Sequence, residues 1–269
     1  MNYLVILNND SRMEYLVNKL KEKCEVNVVK EQAEFEKMIK IGKYTHLLLP
    51  ITGVDNNLII RGGNIRLNKA ILDEMKGKVI LTGLINQVLR EMCELIGIEI
   101  HTYMTNEFQI DNNYITCEGI IEKLVTLSKI AIYKSRILVV GYGKLGQVLA
   151  KVLEPFKVKL TIAARDPKDL TKIKIDGHKA IMLEEIKNEM MNVDFVITTI
   201  PSQVISDEIL AELVNLDLLI LDVSSAPYSF NHEYANKLGL NAHLVPQIPG
   251  KIAPKTSGEL LANYISLSI

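Results

Sequence analysis

Arg136-Ile137-Leu138-Val139-Val140-Gly141-Tyr142-Gly143-Lys144-Leu145-Gly146 is the stretch whose reading decides the fold. An apolar run enters a glycine turn, and a helical spacing leaves it at Val148, Leu149, Val152 and Leu153. The spacing predicts strand, turn and helix, with G-x-G-x-x-G at the turn. Gly141 permits the tight turn, Gly143 lets the backbone approach a pyrophosphate, and Gly146 lets the helix pack close to the strand. The pyrophosphate then meets the free N–H groups and the positive dipole end of the helix. Tyr142, Lys144 and Leu145 ride on the same turn. The bland alternative is a tight turn that binds nothing.

Working outward, the next strand runs through Val158-Lys159-Leu160-Thr161-Ile162-Ala163. Its end discriminates between cofactors. A carboxylate there takes the ribose 2′-hydroxyl of NAD, whereas an arginine forms paired charge-assisted bonds with a 2′-phosphate. The chain has Ala163-Ala164-Arg165, then Asp166. Arg165 favours NADP, and Asp166 keeps NAD possible. Val193 to Pro201 supplies a fourth strand and its end, so Thr199, Ile200 and Pro201 are expected to line the cofactor site. Leu218 to Ser225 supplies a fifth, with Ser224 and Ser225 at its end as cleft residues or plain backbone caps. Asn241 to Val245 is a short sixth.

The first half alternates in the same way. Strands are expected near Tyr3 to Leu7, Val26 to Val29, His46 to Leu49, Lys78 to Leu81 and Ile98 to Tyr103, with helical spacings between them. Alternation of this kind implies mostly parallel sheets covered on both faces. The fold class is therefore α/β, with two doubly wound, Rossmann-like domains joined by linker helices. The expected division is 1–112, an α/β substrate domain, and 113–255, a linker helix plus the dinucleotide-binding domain, with the final helix 256–269 packing back near the first. Asp111 to Gly119 reads as a polar turn with Thr116 as a helix cap, and the helix after it runs to about Tyr133. Glu118 is then either a first-turn carboxylate favoured by the dipole or a residue that handles a proton.

Ligands of such sheets lie beyond the carboxyl ends of the strands. Asn8 to Arg12 follows the first strand. Asp10 and Ser11 fit caps of the next helix, and a guanidinium at Arg12 opposes the helix dipole, so it calls for an acidic partner: Asp10 or a substrate carboxylate. Arg61 and Arg66 read as solvated. Pro246 to Thr256 holds three prolines, Lys251 and Lys255, and reads as a stiff loop in which Lys255 can grip a carboxylate. His232 and His243 are isolated in sequence, which favours packing or surface roles over acid–base or metal chemistry.

With 269 residues, 48% of them hydrophobic, the chain has ample material for two cores, and a formal net charge of −1 gives no electrostatic reason to expect nucleic acid. Cys24, Cys93 and Cys117 are odd in number and widely spaced, which argues against a disulfide framework and a zinc site and fits a reducing cytoplasm. The N-terminus shows no basic leader and no stretch reaches membrane-spanning length, so no membrane association is expected.

Taken together these motifs resemble the dipicolinate synthase family of endospore-forming bacteria, in its NAD(P)-binding, dehydrogenase-like member. The resemblance rests on Gly141 to Gly146, Ala164-Arg165, Asp194 to Pro201, and Ile248-Pro249-Gly250-Lys251-Ile252-Ala253-Pro254-Lys255-Thr256-Ser257-Gly258, which is similar to the family's P-G-x-x-A-P-K-T-A-G signature. Thr116, Glu118 and Gly119 match an I-P-T-A-E-G turn, and Asp10 and Arg12 match a G-G-D-x-R turn. Asn8 and Asn9 replace that turn's glycines, Tyr228-Ser229-Phe230 stands for Gly-Gly-Thr, and Gln247 replaces a glycine. Larger residues at glycine positions change how closely a ligand can approach.

The resemblance implies oxidation of a dihydrodipicolinate-type intermediate of the lysine pathway to dipicolinate, with hydride transfer to NADP. It also implies a small dicarboxylate substrate, a second, flavoprotein-like partner subunit, an oligomer, and the mother-cell cytoplasm of a sporulating bacterium. In that scheme Arg12 and Lys255 hold carboxylates, Ser224 and Ser225 assist, and Glu118 handles the proton. Two alternatives stand beside it: a dehydrogenase of the 2-hydroxyacid or amino-acid type, and a non-catalytic NADP-binding scaffold or sensor.

Overall fold

The apolar runs form strands because both of their faces are covered. Leu4 and Ile6 enter one core and Tyr3 and Val5 another, while Ile137 and Val139 separate in the same way from Leu138 and Val140. Each of these side chains is at most 1% exposed, and each such burial contributes about 1.5–3 kcal/mol. Period-two alternation of polar and apolar residues is absent for that reason.

A computed structural model describes residues 1–267. The first sheet contains β1 (Asn2–Ile6), β2 (Glu25–Val29), β3 (His46–Leu48), β4 (Val79–Thr82) and β5 (Glu99–Thr102). Its helices are α1 (Arg12–Lys21), α2 (Gln32–Ile41), α3 (Lys69–Asp73) and α4 (Gln87–Ile96), followed by α5 (Asn106–Leu127). The second sheet contains β6 (Arg136–Val140), β7 (Lys159–Ala164), β8 (Lys179–Met182), β9 (Phe195–Thr198), β10 (Leu219–Asp222) and β11 (Ala242–Leu244). With it come α6 (Lys144–Leu153), α7 (Pro167–Ile175), α8 (Ile186–Met190), α9 (Asp207–Glu212), α10 (His232–Lys237) and α11 (Ile248–Ile252), and α12 (Pro254–Leu267) ends the described chain.

Both sheets are wholly parallel, so the expected pair of doubly wound α/β sheets is present. The first has the order β2-β1-β3-β4-β5 and the second β11-β10-β9-β6-β7-β8. These are the two common doubly wound orders, and each reverses direction at one switch point. In the second sheet that point lies between β6 and β9. The chain divides into two compact units, Met1–Gln109 with the segment from Ala253 on, and Ile110–Ile252. In the first unit Leu261, Ala262 and Ile265 of α12 join Met13, Leu16 and Leu20 of α1 in one core. Gly258 makes that packing possible, because a Cβ there would lie 2.4 Å from the carbonyl oxygen of Arg12.

Several local expectations are corrected. Asp111 to Gly119 is helix, not turn: α5 begins at Asn106 and ends at Leu127 rather than near Tyr133. Thr116 therefore caps nothing, and its hydroxyl donates to the carbonyl of Asn112 one turn earlier. Glu118 lies mid-helix, so the first-turn reading of it also falls. Burial of Ile115, Cys117, Ile120 and Leu124 outweighs the weak helix preference of the Asp-Asn-Asn run. Pro246 to Thr256 is largely helical, being α11 followed by the start of α12. Pro254 stands at the first position of α12, where a missing N–H costs nothing.

Candidate dinucleotide site

The three turns that leave β6, β7 and β9 converge on one cavity of about 540 Å³. From β6 come Gly141, Tyr142, Gly143, Lys144 and Leu145; from β7, Ala164, Arg165 and Asp166; from β9, Thr199, Ile200, Pro201 and Ser202. The cavity sits at the switch point, where parallel sheets place their ligands.

The three glycines divide their labour. Gly141 has φ +114°, and a Cβ there would lie 2.3 Å from the Thr199 hydroxyl oxygen. Gly146 does not line the cavity; a Cβ on it would lie 2.2 Å from the carbonyl oxygen of Gly141. Around Gly143 nothing beyond the residue itself and its two chain neighbours comes within 4 Å of the Cβ position. Gly143 also caps α6 without any side-chain bond. That helix start thus presents open space and a cap residue without a side chain, which suits the approach of a pyrophosphate to the helix end. The residues fit a dinucleotide. Tyr142 is pinned by its hydroxyl, which donates to Asp176 Oδ2 at 2.6 Å. Burial, then that bond, raises its phenol above the ordinary range, so Tyr142 stays a neutral anchor.

At the end of β7 the two charged residues differ. Asp166 caps α7, its Oδ1 accepting the N–H of Lys168 at 2.8 Å. Arg165 is exposed.

The other predicted residues lie as follows. Asp10 closes on Arg12 in the first unit: Nη2 donates to Oδ2 at 2.6 Å, Nε donates to Oδ1 at 2.9 Å, and the Arg12 backbone N–H donates to Oδ1 at 3.1 Å. Asp10 thus serves as an acidic partner of Arg12. Lys255 is exposed on the first turn of α12. In the second unit Glu118 is exposed, Ser225 is exposed and Ser224 is buried. Ser224 donates its N–H to Asp222 Oδ1 at 2.9 Å.

Asp222 is a residue that sequence reasoning missed. It ends β10 with no exposure. It accepts the N–H of Ser229 at 2.8 Å and faces His232 Nε2 at 3.0 Å. Burial by itself would raise its carboxyl, but the donors from Ser224, Ser229 and His232 hold it below the usual carboxylate range. Ser229 then donates its hydroxyl to the carbonyl of Ile200 at 2.7 Å, which ties this buried charge to the wall of the dinucleotide cavity. His232 is therefore not isolated; it stacks on Phe230, with ring centroids 4.1 Å apart. The signal available was an aspartate closing an apolar strand just before two serines. Among the described residues no cluster of three His, Cys, Asp or Glu side chains suits a metal ion, and no helix is long and apolar enough to cross a membrane.

Fold and site define the class, an NAD(P)-dependent dehydrogenase-like protein, and the shikimate/quinate 5-dehydrogenase family pattern matches residues 124–236. Within that class the chain resembles the A subunit of dipicolinate synthase. It is 30% identical to that protein from Bacillus subtilis (strain 168) over 189 residues. The alignment covers 70% of this chain and 63% of the relative's length, somewhat under two thirds. The crystal structure of the A subunit of dipicolinate synthase from Bacillus halodurans superimposes with a TM-score of 0.84 at 25% identity, over 99% of this chain and 97% of that one. D-lactate dehydrogenase from Escherichia coli shares the fold, with a TM-score of 0.67 at 13% identity over 100% of this chain and 96% of that one.

Proposed function

We propose that the chain oxidises a dihydrodipicolinate-type dicarboxylate to dipicolinate, using NADP, as part of spore formation. The observation that carries the reading is the open, uncapped α6 start at the switch point of a chain similar to the dipicolinate synthase A subunit. The nicotinamide, when bound, accepts the hydride from a ring carbon; a proton leaves the neighbouring atom and the ring becomes aromatic. Glu118 takes that proton. Arg12 and Lys255 bind the carboxylates, with Ser224 and Ser225 assisting, and Gly141 to Gly146, Arg165 and Thr199 to Pro201 hold the dinucleotide. NADP is preferred to NAD because Asp166 spends a carboxylate oxygen on its helix cap and leaves the exposed Arg165 to meet a 2′-phosphate. The relatives are named as one subunit of a synthase, which supports a partner subunit; we take it to be flavoprotein-like, in an oligomer within the mother-cell cytoplasm. In this reading the first unit binds the substrate.

The test is cofactor reduction. Purified protein, alone and with the candidate partner subunit, receives freshly generated dihydrodipicolinate precursor with NADP or NAD, and nicotinamide absorbance and dipicolinate are followed together. Equal appearance of both products is expected, and Arg165→Ala should raise the KM for NADP about tenfold, equivalent to 1.4 kcal/mol, while that for NAD stays within twofold. A second reading, a scaffold or sensor that binds dinucleotide without turnover, is favoured by one observation: Arg12 is already held by Asp10. Tight dinucleotide binding with no reduction in either mixture would establish that reading and sink the first.

A further inference from the structure

Tyr228-Ser229-Phe230 stands in this chain where the family it resembles has Gly-Gly-Thr, and the fold uses all three. We propose that they form, with Asp222 and His232, a clamp that fixes one wall of the dinucleotide cavity, in which Ser229 and His232 are positioning residues for dinucleotide binding. The proposal rests on dinucleotide binding and not on the reaction assigned above.

The wall is the segment that leaves β9. Thr199, Ile200, Pro201, Ser202 and Val204 all line the cavity. Ser229 is fully buried and reaches this segment by side chain and backbone together. Its hydroxyl donates to the carbonyl of Ile200 at 2.7 Å, and its carbonyl accepts the N–H groups of Val204 at 2.9 Å and Ile205 at 3.1 Å. A glycine at this position could keep the backbone bonds but not the bond to Ile200. That bond bears on the glycine turn, because Thr199 and Ile200 abut it. A Cβ on Gly141 would lie 2.3 Å from Thr199 Oγ1 and 2.9 Å from Ile200 Cγ1. The turn offered to a pyrophosphate therefore takes its shape against this wall.

Ser229 is itself held from behind. Its N–H donates to Asp222 Oδ2 at 2.8 Å, and His232 Nε2 meets the same oxygen at 3.0 Å. An ionised carboxylate only accepts, so the imidazole is the donor. Two of the three residues fix that ring: Phe230 stacks on it, and Tyr228 meets it edge-on with centroids 5.5 Å apart. Tyr228 does so at φ +68°, a left-handed backbone that ordinarily falls to glycine. Strain of this kind persists only where the surroundings hold it, and here they include the histidine of the clamp. The Asp222 side chain has no exposure and that of His232 only 18%. An apolar side chain at 232 would thus leave Asp222 short of a donor in a site largely closed to water, and Asp222 is what holds Ser229.

The experiment is calorimetric titration of the full chain with NADP and NAD, with urea unfolding of each variant alongside. Ser229→Ala should weaken the dinucleotide that the parent prefers about fivefold, the effect of losing one hydrogen bond. His232→Leu should weaken it about tenfold, and His232→Gln, whose amide nitrogen supplies the same donor, should return it to within about twofold of the parent. Asn231→Ala separates the clamp from general loosening. It removes the side-chain cap of α10, where Asn231 Oδ1 accepts the Tyr234 N–H at 3.1 Å. It should lower stability and leave dinucleotide affinity within about twofold. Unchanged affinity in both Ser229→Ala and His232→Leu would overturn the clamp. So would a loss in His232→Gln equal to that in His232→Leu, or a loss in Asn231→Ala equal to that in Ser229→Ala. If His232→Leu does not fold, Ser229→Ala, which removes a single oxygen, decides alone. A parent chain that binds neither dinucleotide would overturn the dinucleotide reading and the clamp with it.

Discussion

The turn after β1 and the turn after β6 occupy equivalent places in the two sheets, yet they are finished in opposite ways. After β6 the helix starts on a glycine with no side-chain cap and open space at the Cβ position of Gly143. After β1 side chains fill the turn. Asn8 Oδ1 accepts the N–H of Asp10 at 3.1 Å, Asn8 Nδ2 donates to the carbonyl of Arg61 at 3.0 Å, and the Asp10 carboxylate sits at the start of α1. One turn leaves open space at its helix start, and the other carries an internal anion there. A parallel sheet offers a ligand place at every such turn, and the side chains decide which of them stays vacant.

The sharpest way to break this comparison is to remove the internal anion's partner. The Arg12 and Asp10 side chains are only 8% and 15% exposed. Arg12→Met should therefore cost about 3–5 kcal/mol, the penalty for leaving one charge of a buried pair uncompensated, read from urea unfolding followed by circular dichroism. A loss under about 1 kcal/mol, as for a surface pair, would mean that the turn after β1 is not self-satisfied.

The β6 turn makes the converse prediction. Gly146→Ala should lose about 1–3 kcal/mol through overpacking, because the carbonyl of Gly141 cannot retreat from 2.2 Å. Gly143→Ala should leave stability within about 0.5 kcal/mol and still weaken dinucleotide binding at least tenfold, since its added methyl meets only the ligand's space. If both substitutions destabilise equally, the division of labour between the two glycines is wrong.

Asp222 gives a smaller effect with a characteristic pH signature. Asp222→Asn should cost about 1.5 kcal/mol at neutral pH, as charge-assisted bonds become neutral ones. The folded carboxyl titrates below its unfolded value. Its stabilisation is therefore complete above the ordinary carboxylate pKa of about 4 and is lost as pH falls through the lower folded value. Urea melts between pH 2 and 6, a window set about that ordinary pKa, should show a flatter pH dependence in the variant than in the parent.

The smallest effect compares the two units directly. Burial pushes the Cys93 thiol up to about 11 and the Cys117 thiol up to about 12, so both react with iodoacetamide only through local opening. Cys93 lies in the first unit and Cys117 in the second. Saturating dinucleotide should slow the labelling of Cys117 and leave that of Cys93 unchanged; equal slowing would place dinucleotide binding outside the second unit.

These contrasts were only partly legible in the sequence. The Arg136 to Gly146 turn and the paired parallel sheets were legible because apolar runs and glycine spacing act locally. The helical state of Asp111 to Gly119 was not. Gly119 shows why: a Cβ there would lie 2.1 Å from Ile248 Cγ2, so this segment is shaped by packing on α11, more than 120 residues away along the chain. The prolines of 246–256 read as loop when two of them belong to helices. Asp222 and His232 stand ten positions apart, and only the fold of the intervening loop brings a buried carboxylate to an imidazole. Arg12 was legible as a charge in need of a partner, but only the folded turn brings Asp10 back onto it.

The docking of α12 on α1 also has a consequence in time. A ribosome emits residues 110–252 as one uninterrupted stretch, whereas the first unit needs residues from both sides of that stretch. The dinucleotide-binding unit can complete its core while the earlier unit still lacks Leu261, Ala262 and Ile265 of α12. Vectorial synthesis thus reverses the order of the domains, so that the first unit begun is the last to be completed.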